Sequence, residues 1–273
     1  MSTRYHHSSH TFTAGGSYRW LLAGVLAMSL GGNAYADDDT TETADSSSSC
    51  APQKYAMALR YQQQSAEIQA LQRQSYALAT ARLKQMLAEH PDADDLAIMT
   101  DLDETVIDNS ALLVRDMQAC HDFTGWDTWK VWEREGNPRL IPGARDFLDY
   151  ADSNDVTIFY VSDRYQENKG ATVETLESLQ LPQVSDSQVR LLGPSKAKRR
   201  QAIESDYDLI MQLGDSLADF SQDYHHADLA TQKDLASDDA AHFGDDWIMF
   251  PNASYGSWSD AELKAWDAPL ETP

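Results

Sequence analysis

The segment Leu96-Ala97-Ile98-Met99-Thr100-Asp101-Leu102-Asp103-Glu104-Thr105 decides the fold. Its first half is a short apolar run suited to a buried strand, and its second half turns abruptly acidic. In extended backbone, residues two apart point the same way, so Asp101 and Asp103 are both expected to face the crevice beyond the strand end. Carboxylates this close repel each other unless a divalent cation or a shared proton lies between them. Asp-x-Asp at a strand end is also common in turns, so the segment alone leaves a turn and a metal site open.

Four more apolar runs follow at 156–161, 189–192, 209–213 and 247–250, with helix-like stretches between them at 143–151, 169–179 and 196–205. This alternation predicts an α/β fold with a Rossmann-like, largely parallel sheet over 91–273. In such sheets the site lies beyond the carboxyl ends of the strands. Residues 53–90 contain neither Gly nor Pro, and Met57, Tyr61, Ile68, Leu71, Ala79, Leu83 and Met86 recur at helical spacing. They predict an N-terminal helical extension, as one helix or two in sequence. The stretch 108–141 is rich in aromatics (Phe123, Trp126, Trp129, Trp132) and shows no clear strand, so it is read as a small helical cap insertion.

The start of the chain reads as separate from the fold. Arg4 and Arg19 precede an apolar run over 20–30, and Gly31-Gly32-Asn33-Ala34-Tyr35-Ala36 follows. A short apolar run ending in Ala-x-Ala predicts a secretory signal peptide over 1–36, too short to span a membrane. Its loss removes two of the 21 Lys and Arg and none of the 44 Asp and Glu, so the formal charge of −23 becomes −25. So acidic a surface disfavours nucleic acid polymers and anionic membranes as partners, and it suits solubility in a salty medium. Residues 37–52, acidic and Ser/Thr-rich, are read as a flexible leader.

Cys50 and Cys120 are the two cysteines. Export to oxidising surroundings allows one disulfide, although the sequence does not show that they meet. A lipid-anchoring cysteine is expected directly after the apolar run. Cys50 lies well past it, behind four serines, so the predicted location is periplasmic or secreted with no membrane attachment.

The other strand ends carry chemistry too. The run at 156–161 exits into Ser162-Asp163-Arg164, where a hydroxyl can donate to a phosphate oxygen. Pro194-Ser195-Lys196-Ala197-Lys198-Arg199-Arg200 is the densest basic cluster, able to neutralise a transferring phosphoryl group or merely to form a solvated helix face. The run at 209–213 exits into Gly214-Asp215-Ser216-Leu217-Ala218-Asp219, a second carboxylate pair, although Gly-Asp before a helix is often only an N-cap. Hard oxygen ligands in this number suit Mg²⁺. His225 and His226, adjacent in a polar stretch, are read as a solvated surface pair.

The four elements, in this order, resemble the motifs of the haloacid dehalogenase (HAD) superfamily. More narrowly, the stretch from Ile98 to Ser110 is similar to the first motif of the class C acid phosphatases, which include bacterial surface lipoproteins acting as 5′-nucleotidases. Ile141-Pro142-Gly143-Ala144, Phe159-Tyr160-Val161-Ser162-Asp163-Arg164, Gly214-Asp215 and Pro251-Asn252-Ala253-Ser254-Tyr255-Gly256 extend the likeness over about 53–266. The resemblance implies a HAD fold and a magnesium-dependent acid phosphatase that hydrolyses small phosphate monoesters, including nucleoside 5′-monophosphates. Asp101 would form an aspartyl-phosphate, and Asp103 would protonate the leaving oxygen and then activate water. Ser162 and Lys196 would hold the phosphoryl oxygens, with Lys198 the competitor for the lysine's role. Mg²⁺ would sit between Asp101, the backbone carbonyl of Asp103 and Asp215, with Asp219 in support. Tyr255, with Trp129 or Trp126 from the cap, would grip the leaving group, whereas Trp132 is expected in the core.

Family members often carry a tyrosine just after Asp-Asn-Ser, where Ala111-Leu112 stand here, and the lipidation cysteine of the lipoproteins is missing. The alternatives are a phosphotransferase of the same fold and a non-catalytic acidic secreted protein. The intact Asp101 argues against the latter. The residues do not decide the oligomeric state.

Overall fold

The computed structural model describes residues 50–122 and 125–263; the predicted signal peptide and leader residues 37–49 lie outside them. Among the described residues no helix is long and apolar enough to cross a membrane. The strands in chain order are β1 (Leu96–Thr100), β2 (Ile107–Asp108), β3 (Arg139–Leu140), β4 (Thr157–Val161), β5 (Val189–Arg190), β6 (Asp208–Gly214) and β7 (Trp247–Met249). The helices are α1 (Ala56–Gln64), α2 (Ala66–Glu89), α3 (Ser110–Gln118), α4 (Asp127–Glu135), α5 (Ala144–Asp152), α6 (Lys169–Ser178), α7 (Lys196–Glu204) and α8 (Leu229–Asp238).

Five strands form one parallel sheet in the order β5-β4-β1-β6-β7, each drawn from one of the apolar runs. Every residue of β1 is buried because both faces of the sheet are covered. Leu96 and Ile98 pack in a cluster with Tyr76, Leu83 and Met86 of α2, Phe147 and Leu148 of α5 and Leu176 of α6. Ala97 and Met99 meet Phe159, Val161 and Ile203 of α7 on the other side. From β1 the chain proceeds to β4 on one side and later returns to β6 on the other, which makes the end of β1 the switch point. The register sets the level of the strand ends. Thr100 lies opposite Tyr160 and Leu213, so Asp101, Ser162 and Asp215 emerge within a residue or two of one another.

Ser65 breaks the N-terminal extension into two helices; its backbone is extended, and its hydroxyl accepts from the N–H of Ile68 at 3.1 Å. The break shifts the helical phase, so the stripe holds only in part: Ile68, Ala79, Leu83 and Met86 are buried as expected. Met57, 72% exposed, faces solvent with Tyr61 and Leu71, while Gln62 and Gln72 are buried. Gln62 earns that place through its Oε1, which accepts from Ala253 N at 3.0 Å.

The insertion expected to lack strands is closed at its base by the antiparallel pair β2 and β3, with Ile107 opposite Leu140. Two residues carry no readable periodicity. Above this pair, Leu112 and Leu113 of α3 and Trp129 of α4 pack on Leu59 of α1. Cys50 and Cys120 form a disulfide, Cα atoms 5.7 Å apart, that ties the start of the extension to the end of α3. Residues 50–52, read as the end of the leader, are held by this bond and by the burial of Pro52.

The bond closes a loop with a sequence separation of 70 residues, which in the chain-entropy model stabilises the fold by about 4 kcal/mol. Cys120→Ser is therefore expected to lower the melting temperature by about 10 °C. Thermal unfolding with and without reductant checks this, since reductant should destabilise the wild type and leave the variant unchanged.

Candidate active site

Four strand ends supply the centre. Asp101, directly after β1, is 6% exposed and donates its backbone N–H to the Leu213 carbonyl at 2.9 Å. Asp215 follows β6, and Asp219 closes the next turn. Its Oδ2 accepts from Ser216 N at 2.9 Å in a capping box. Carboxylate oxygens of Asp101, Asp215 and Asp219 lie within 4.8 Å of one another. Gly214 permits this approach, because a Cβ there would stand 2.4 Å from the Asp219 carboxylate.

Lys196, the first residue of α7, reaches into the cluster, with its Nζ 2.5 Å from both Asp101 Oδ1 and Asp219 Oδ1. Lys198 is exposed on the same helix. Arg199 and Arg200 are not a solvated face. Arg199 donates to the Ser162 carbonyl at 2.7 Å, and Arg200 donates to Gln212 Oε1 at 3.1 Å and to the Phe220 carbonyl, so both brace the strand ends.

The electrostatics follow from crowding. Burial pushes Asp101 well above the usual carboxylate range; Lys196 pulls it back, while Asp219 and Asp215 push it further. Asp215 is raised to about 7, by desolvation first and by Asp219 second, against the hydrogen bond from Asn252 Nδ2 at 2.8 Å. Burial works against a charged Lys196, but Asp101 and Asp219 outweigh it and hold its pKa above the ordinary lysine range.

Asp103 is not among the three converging carboxylates. Its own carboxylate is gripped by Ser162 Oγ at 3.0 Å, Asn109 Nδ2 at 2.9 Å and the guanidinium of Arg164 at 2.9–3.2 Å. Trp132 packs against the Leu59–Leu112–Trp129 cluster but is only half-buried, and its indole N–H donates to Asn109 Oδ1 at 2.8 Å. Glu104, Asn109, Arg164 and Asn252 stand within the motifs, but their spacing assigns them no role. Glu133 lies outside the motifs, and a lone glutamate in an aromatic helix carries no signal. Glu104, buried with a φ of 59°, accepts from Asn109 N at 2.9 Å and from the Tyr255 hydroxyl. Glu133 of α4 accepts from Tyr165 N at 3.0 Å and Asn168 Nδ2 at 2.7 Å, anchoring the cap to the loop that carries Arg164.

Beside this network Trp126, Trp129 and Tyr255 pack ring against ring, with centroids 5.4–5.6 Å apart. Trp126 is 44% exposed and Trp129 only 4%. The Trp129 indole N–H is buried without a hydrogen-bond partner. A cleft of about 420 Å³ between α2 and the segment 249–258 opens on Asp215 and Asn252. His225 and His226 are exposed and lie against each other, as expected of a solvated pair.

A carboxyl whose pKa is raised on folding binds its proton more tightly folded than unfolded, so its contribution is full at low pH and fades as pH rises through the folded value. For Asp215 that window runs from the ordinary aspartate range to about 7. In EDTA, moving from about pH 7.5 to pH 5 should raise the melting temperature of the wild type above that of Asp215→Asn by on the order of 3 °C. Paired thermal melts across that range measure the difference.

Comparison with known proteins agrees with this geometry. A family model described as HAD superfamily, subfamily IIIB (Acid phosphatase), matches residues 35–258. Among solved structures, the class C acid phosphatase from Bacillus anthracis superposes with a TM-score of 0.73 at 28% identity, covering 79% of this chain and 99% of that one. The class C acid phosphatase from the same organism with tungstate bound gives 0.72 at 30% identity, covering 80% and 93%. The parallel sheet, the acidic strand ends and these matches together establish that the chain belongs to the subfamily IIIB acid phosphatases of the HAD superfamily, phosphomonoesterases of the class C type.

Proposed function

We propose that this phosphatase works through an aspartyl-phosphate on Asp101, with Asp103 as acid and base, at a centre built for a divalent cation. One observation carries the reading. Fully ionised, Asp101, Asp215 and Asp219 would bring three negative charges within 4.8 Å against one positive charge on Lys196, and burial together with this deficit of two holds the carboxyls of Asp101 and Asp215 on to their protons in the absence of a cation. A divalent cation supplies that balance. The donor set of hard oxygens fits Mg²⁺, which Asp101, the Asp103 carbonyl and Asp215 would hold, with Asp219 in support. When bound, such a cation neutralises charge on the transferring phosphoryl group.

This chain's own residues do the rest. Asp101 attacks phosphorus, the bond from phosphorus to the leaving oxygen breaks, and Asp103 gives that oxygen its proton. Water then attacks the aspartyl-phosphate and passes a proton to Asp103, so phosphate leaves and Asp101 is restored. Ser162 and Lys196 hold the phosphoryl oxygens. The related Bacillus anthracis enzyme has been solved with tungstate, itself an oxyanion, which supports an oxyanion as a ligand of this fold.

Trp129 and Tyr255 back the exposed ring of Trp126, and together they form the leaving-group wall, which suits an organic group with a flat face such as a nucleoside. A structural disulfide agrees with export to a periplasmic or extracellular setting.

Release of phosphate from p-nitrophenyl phosphate should require Mg²⁺, stop on addition of EDTA and return when Mg²⁺ is restored. Asp101→Asn should abolish it, and full turnover by that variant would refute the covalent route. A panel of 5′-nucleotides, 3′-nucleotides, sugar phosphates and aryl phosphates ranks the leaving groups.

A further inference from the structure

The two carboxylate oxygens of Asp103 stand in unequal surroundings. Oδ1 accepts from Asn109 Nδ2 at 2.9 Å, Arg164 Nε at 3.0 Å and Arg164 Nη2 at 2.9 Å. Oδ2 accepts from Ser162 Oγ at 3.0 Å and has only a longer contact, 3.2 Å, with Arg164 Nε. A carboxylate oxygen offers about two lone-pair sites, so three donors crowd Oδ1, while Oδ2, with Ser162 Oγ and the guanidinium N–H it shares with Oδ1, is the less tightly held oxygen. The guanidinium that creates this asymmetry is 2% exposed. It is also fixed from a second direction: its Nη2 donates to Asn109 Oδ1 at 3.2 Å, the same oxygen that takes the Trp132 N–H at 2.8 Å. Two donors on one amide oxygen set the amide so that Nδ2 faces Asp103.

We infer that Arg164 is the positioning residue for Asp103, locking Oδ1 so that Oδ2 is the oxygen that carries the proton in both half-reactions. The inference rests on the acid and base role proposed above for Asp103. In the first half-reaction the Asp101 oxygen bonds to phosphorus, the bond from phosphorus to the leaving oxygen breaks, and that oxygen takes the proton from Oδ2, giving a free alcohol. In the second, water bonds to phosphorus, its proton returns to Oδ2, and the bond from phosphorus to Asp101 breaks. A planar fork with two donors on one carboxylate sets orientation as well as charge, which an ammonium cannot do.

The signature is a dependence on the leaving group. A p-nitrophenolate departs without a proton, whereas the alkoxide of glycerol phosphate needs one. In Arg164→Ala, kcat/KM for glycerol phosphate should fall about 10²-fold and that for p-nitrophenyl phosphate less than about tenfold. Added guanidinium, below denaturing concentration, should restore activity on the alkyl substrate. Arg164→Lys should restore charge but little of the alkyl activity. Trp132→Phe, which keeps the ring and removes one donor, should show the same bias at smaller amplitude. It serves as the readout if Arg164→Ala does not fold. Equal losses on both substrates with no guanidinium rescue would overturn the assignment. Failure of the underlying reading shows separately, as full turnover in Asp101→Asn or Asp103→Asn.

Discussion

Three carboxylates converging at the mouth of a buried parallel sheet are the constraint on which the rest of the molecule depends. Asp101 and Asp219 are nearly inaccessible to water, and neither would tolerate a second like charge at this distance unaided. Lys196 relieves part of the repulsion and is itself held charged by it. The β1–β4 and β1–β6 registers bring the groups to one level, so a slip of one residue in either ladder would move the Asp101 side chain to the other face. Packing on both faces of β1 serves chemistry as well as stability, since it fixes where the charges emerge.

Asp103 belongs to a different electrostatic world only two residues away. Every side chain that hydrogen-bonds its carboxylate is a donor, and the buried arginine among them is enclosed by protein. One half of the centre is short of positive charge while the other is satisfied. The cap joins them mechanically. Glu133 of α4 holds the loop bearing Arg164, Trp132 holds Asn109, and Glu104 holds both Asn109 and Tyr255. A shift of α4 would therefore be felt at Asp103 before it was felt at Asp101.

Much of this was legible in the residues because it rests on local pattern. Apolar runs marked the five sheet strands, and a change to Asp, Ser or Gly at their ends marked the crevice. Lys196 could be ranked above Lys198 but not placed, since both lie on one helix and only the fold shows which reaches the sheet. Arg164, Asn109 and Trp132 were beyond reach for a different reason. Arg164 and Trp132 act through partners 23 to 61 residues away, and Asn109, although only six residues from Asp103, is oriented by those two distant donors, which no spacing rule encodes. The N-terminal stripe held in Ile68, Ala79, Leu83 and Met86 but not in Met57 and Tyr61, for a third reason. Ser65 is a polar residue in a run of good helix formers, and nothing in its neighbours shows that its backbone is extended there.

The bond between Cys50 and Cys120 encloses α1, α2, β1, β2 and α3 in one covalent ring. Asp101 and Asp103 therefore lie on a closed loop of chain. A protease that cuts once within 51–119, for example at the non-helical Ser65, opens the ring without releasing any part of it. Both new ends stay attached through the sulfur bridge, and the two halves remain packed on the same core. A single nick in this half would leave the chain in one covalent piece.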